Sequence, residues 1–184
     1  MTQPTASDWQ ELLEFTASLL NETTPRALII IGAARLEEET KEIVSVVAPG
    51  FESDRKSHGS RIELLLALGH LTEKASRCLR HITKIRNYFA HTSAPCSLSD
   101  AAIQKDVNDL FQELAHLNLS EAAEGFFGTL LSKIPNAPAP HTWLDDKYKR
   151  YQIAVTMLKH HLRVVRCNLP KRTIPVELSQ PKVK

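Results

Sequence analysis

Apolar residues recur along this chain at intervals of three and four rather than two, the spacing that turns one side of a helix toward a core. Leu12, Leu13, Phe15, Leu19 and Leu20 mark a first helix, opened by a capping box at Ser7-Asp8-Trp9-Gln10 and running to about Leu20. Thr24-Pro25 starts a second, with a capping hydroxyl and a proline at the first helical position. Ile29-Ile30-Ile31 alone would suit a strand. Leu28, Ile31, Leu36, Ile43, Val46 and Val47, with charges between them, instead predict a long helix stopped by Pro49-Gly50. Ser60 and Glu63 form another capping box, before a short helix that ends at Gly69. Thr72 caps a helix from Glu73 to about His91. Ser97 or Ser99 opens the next, which carries Ile103, Val107, Leu110, Phe111 and Leu114.

Gly125 and Gly128 weaken the pattern over 118–134, and PNAPAPH at 135–141 reads as a linker. Thr142 caps a last long helix to about Cys167, and Pro170, Pro175 and Pro181 make the end extended. The expectation is an all-α fold: a single helical bundle of six or seven helices over 1–169, with a proline-containing basic tail at 170–184. The two long helices, 25–47 and 142–167, carry more apolar residues than one small bundle requires, which predicts a homodimer.

Composition narrows the class. A chain of 184 residues, 42% hydrophobic, suits one domain with a real core. No apolar run is long enough for a membrane span, and the N-terminus lacks a basic-then-apolar secretory pattern. Cys78, Cys96 and Cys167 are an odd number at wide spacing, which suits a reducing cytoplasm. The net charge of +2 hides a split: residues 147–184 hold ten Lys or Arg against Glu177 alone, a net +9, so the preceding 146 residues carry −7. Lys147, Lys149, Arg150, Lys159, Arg163, Arg166, Lys171 and Arg172 are therefore candidate contacts to nucleic acid or an acidic protein partner.

The chemistry concentrates in Lys84-Ile85-Arg86-Asn87-Tyr88-Phe89-Ala90-His91. On a helix, Cys78, Ile82, Ile85 and Phe89 share the core face, while Arg80, Lys84, Asn87 and His91 share another. That second stripe can grip a phosphate, and His91 can exchange a proton near neutral pH. Arg86 lies about 140° from His91 on an ideal helix, and pairing with Glu38 or Glu63 is its alternative. Asn87 and His91 can likewise hold the helix end by hydrogen bonds.

The Arg-Asn-x-x-x-His segment resembles the R-x4-6-H motif of the HEPN domains, all-helical proteins that are often ribonucleases. That resemblance implies metal-independent RNA cleavage. His91 would transfer the proton, Arg86 neutralise the phosphoryl oxygens and Asn87 orient the phosphate, at a site formed across a dimer. A second resemblance covers about residues 20–165. RALIIIGAARLEEETKEIV, SRIELLLALGHL, LRHITKIRNYFAH and KRYQIAVTMLKHHL are similar to the mannitol operon repressor family. It implies a helical bundle acting in bacterial transcriptional regulation, without catalysis. Residues 60–91 have the outline of a helix-turn-helix, but their second helix is long and carries a core-facing apolar stripe. No P-loop, nucleophile elbow, H-E-x-x-H or dinucleotide fingerprint occurs, and His160-His161 point apart, so neither cofactor nor metal is expected.

Overall fold

A threonine and an aspartate three residues apart open the first helix. Thr5 Oγ1 accepts from the Asp8 amide while the Asp8 carboxylate accepts from the Thr5 amide at 2.8 Å, closing a capping box two residues earlier than Ser7. The computed structural model describes residues 5–22, 24–51, 56–115, 128–134 and 146–169. Among these there is no strand, and the chain forms α1 (Ala6–Asn21), α2 (Pro25–Val47), α3 (His58–Ala67), α4 (Glu73–His91), α5 (Gln104–Ala115), the four-residue α6 (Gly128–Leu131) and α7 (Lys147–Cys167). The linker at 135–141, the cap at Thr142 and the tail at 170–184 lie outside the described residues.

Helix α2 is the spine. It packs most extensively on α7 and also meets α1, α3 and α4, while α5 closes against α4. Its Leu36, Ile43 and Val44 join Ile62 and Leu65 of α3, Ile82, Ile85 and Phe89 of α4, and Val155 and Leu162 of α7 in one fully buried core. Gly32 sets the α2–α7 approach: a β-carbon there would sit 3.3 Å from the Val155 methyls.

The caps show which sequence signals operate. Thr72 caps α4 as expected, accepting from the Ala75 amide. Thr24 makes no side-chain cap bond, so Pro25 alone defines the start of α2. Ser57, not Ser60, caps α3, which begins three residues early and buries His58. Helix α5 starts at Gln104, because Asp100 is drawn into the preceding turn, where its carboxylate accepts from the Ser97 amide and the Tyr88 hydroxyl. Asp146 caps α7 through the Tyr148 and Lys149 amides. Gly69 turns the chain after α3 at φ +72°, and its neighbour's amide, His70, donates back to the Leu65 carbonyl, a C-terminal turn that suits glycine.

Candidate functional site

Helix α4 divides its residues as its periodicity requires. Cys78, Ile82, Ile85 and Phe89 are wholly buried, and Arg80, Lys84, Asn87 and His91 are exposed on the opposite side. Lys84 reaches Asp106 of α5 at 3.1 Å, and His81 reaches the same carboxylate at 2.8 Å. Among the described residues, the side-chain bonds that hold the end of α4 come from Arg26 rather than from Asn87 or His91. Arg26 of α2 donates from Nε to the Phe89 carbonyl at 2.8 Å and from Nη2 to the Thr92 carbonyl. A guanidinium thereby satisfies carbonyls that a helix end leaves without partners.

Arg86 points between these faces, toward α2. Its Nη2 donates to Glu37 Oε2 at 2.8 Å, and Arg61 of α3 donates from Nη1 to Glu37 Oε1 at 3.1 Å. One carboxylate thus bridges guanidinium groups from two helices, with Arg86 and Glu37 each a little under one third exposed. The acid is Glu37 rather than Glu38, which pairs with Arg35 on the outer surface, or Glu63, which is exposed. Beside this pair lies His58, 6% exposed, with Nδ1 2.9 Å from Thr83 Oγ1. Burial pushes the His58 imidazole down to about 4, and the Arg61 and Arg86 charges push the same way against Glu37. Arg86 and His91 do not converge on one cleft within the chain.

The sequence could have exposed this cluster through one signal. Ala33, Glu37, Thr40 and Val44 follow helical spacing, and Ala33, Thr40 and Val44 are buried, so a carboxylate on that stripe needs a cationic partner.

The basic helix α7 faces inward for much of its charge. Lys159 is 4% and Arg163 8% exposed. Glu39 Oε1 accepts from Lys159 at 2.8 Å and Arg163 at 3.1 Å, while Arg163 also reaches Asp8 at 2.8 Å and Glu11. Arg166 pairs with Glu42. These three cations therefore tie α7 to α1 and α2 instead of offering a surface to a partner. The Arg163 contact holds the Glu11 carboxyl down at about 2. Lys147, Lys149 and Arg150 are half-buried near the start of α7, with Lys147 on Ser99 and Arg150 stacked 4.1 Å from the Phe111 ring. Lys171 and Arg172 lie outside the described residues.

Among the described residues no group of three or more His, Cys, Asp or Glu is placed to hold a metal ion, and no helix is long and apolar enough to cross a membrane. No protein family model matches the chain, nor does any curated protein or solved structure.

Proposed function

We propose that this protein is a non-catalytic bacterial regulator, cytoplasmic and dimeric, of the kind its resemblance to the mannitol operon repressor family implies. The observation that carries the reading is the Arg86–Glu37 pair at 2.8 Å. The pair draws Arg86 toward α2 and away from the exposed face of α4 that carries His91, so the two groups that a ribonuclease would need together are held apart within the described residues. The regulator acts by binding. With Lys159, Arg163 and Arg166 engaged internally, contacts to a protein or nucleic acid fall to Lys147, Lys149 and Arg150, the Arg80–Lys84 stripe, and Lys171 and Arg172.

The competing reading is the metal-independent ribonuclease using Arg86, Asn87 and His91. Single-stranded RNA incubated with the purified chain in EDTA separates the two. Intact RNA is expected. Cleavage that disappears in His91→Ala without a change in unfolding midpoint would establish the nuclease instead. Loss of a general acid–base group lowers a rate by about a hundred- to ten-thousand-fold. A dimer mass at micromolar concentration is expected in solution, and a monomer mass would contradict the proposed assembly.

A further inference from the structure

Two guanidinium groups, Arg61 of α3 and Arg86 of α4, converge on the Glu37 carboxylate of α2. The Glu37 carboxylate occupies the place an external oxyanion would take, one oxygen to each arginine. It is also partly exposed, as is Arg86, so this side of the cluster meets solvent.

His58 adds the feature that an ion pair alone does not explain. The Thr83 hydroxyl donates its single proton to the Leu79 carbonyl at 2.8 Å, so at 2.9 Å it accepts from His58 Nδ1–H. Nε2 is then a bare acceptor. It is buried without a hydrogen-bond partner, on a side chain 94% buried by its 6% exposure. Such an acceptor wants a donor, whereas the two arginines take an anion, here the Glu37 carboxylate. A single group meets both demands: an oxyanion that carries its own proton.

We propose that Arg61, Arg86 and His58 form a binding site for free inorganic phosphate, with Glu37 as the internal anion that phosphate displaces. In the bound state Glu37 swings to solvent, the arginines donate to two phosphate oxygens, and the P–OH donates to His58 Nε2. Hydrogen phosphate keeps an O–H through neutral pH, whereas sulfate and phosphate diesters have none. The site therefore excludes sulfate and nucleic-acid backbones by chemistry rather than size. A monoester loses its last proton near pH 6, so it binds at acidic pH and fades above neutrality. The inference goes beyond the regulatory reading and does not depend on it.

Isothermal titration of the full chain at fixed ionic strength tests it, with phosphate, sulfate, dimethyl phosphate and methyl phosphate as probes. Phosphate binding at least tenfold tighter than sulfate or dimethyl phosphate is expected, at both pH 6 and pH 8. Methyl phosphate should weaken several-fold over that interval. Glu37→Gln should tighten phosphate at least tenfold by removing the competing charge, and Arg86→Gln should abolish binding. Equal affinity for phosphate and sulfate would overturn the proposal, as would undetectable phosphate binding by the wild-type chain. If Glu37→Gln does not fold, the wild-type phosphate-to-sulfate ratio decides alone.

Discussion

Arg163 and Lys84 are both cations beside acids, yet their surroundings give them different weight. Arg163 meets Asp8, Glu11 and Glu39 with its side chain 9% exposed, whereas Lys84 meets Asp106 with 63% exposed. Arg163→Ala leaves buried carboxylate charge short of a partner and should cost about 3–5 kcal/mol in chemical denaturation. Lys84→Ala should cost less than about 1 kcal/mol. Acid pH reads His58 separately. Its imidazole titrates at about 4 in the fold against an ordinary 6.5, so the unfolded chain binds the proton first. The stabilisation is complete above about pH 6.5 and is lost as pH falls toward 4. His160 and His161, also pushed down by burial, act in the same sense. Glu11, held at about 2 against 4.5, adds a further loss below about pH 4.5. Denaturant midpoints measured from pH 7.5 to 4 should fall, and less steeply in His58→Gln. An unchanged slope in that variant would remove His58 from the account. None of these partners was legible as a pair in the sequence. Glu37 lies 49 residues from Arg86, and periodicity ranks which side a residue faces without saying which helix lies opposite.

Helix identity was far more legible than helix ends. Pro25, Val47, Thr72 and Cys167 bound elements where punctuation and apolar spacing agree. Ser7, Ser60, Ser97 and Ser99 misplace starts because a capping side chain two or three residues upstream, or an aspartate committed to a turn, takes the amide first. Gly32 shows what the element pattern can say about packing. A lone glycine in the middle of a helix costs about 1 kcal/mol against alanine, so its presence signals close approach, and Val155 and Tyr151 of α7 stand against it. Gly32→Leu should push α7 off the spine and lower stability by about 1–3 kcal/mol or more, seen as a lower melting temperature with retained helical circular dichroism before the transition. An undiminished melting temperature would mean that the α2–α7 seam yields.

At the scale of the molecule, part of the charge split of the sequence proves, among the described residues, to be internal complementarity. The basic stretch of α7 meets acids of α1 and α2 through Lys159, Arg163 and Arg166, so the +9 segment is not a uniform cationic surface. The same logic governs Arg86. In the sequence it stands beside His91 and invites a catalytic reading, whereas in the fold it spans to α2 and shares Glu37 with Arg61. The most direct test of that assignment is a double-mutant cycle on Arg86→Ala and Glu37→Ala, read as unfolding free energy in urea at neutral pH and low phosphate. A partly buried pair of this geometry predicts a coupling of about 1–2 kcal/mol, with Arg86→Ala itself destabilising by a similar amount because Glu37 retains Arg61. Additive effects within about 0.3 kcal/mol, with Arg86→Ala as stable as the parent, would contradict the account and return Arg86 to a role outside the fold's own support.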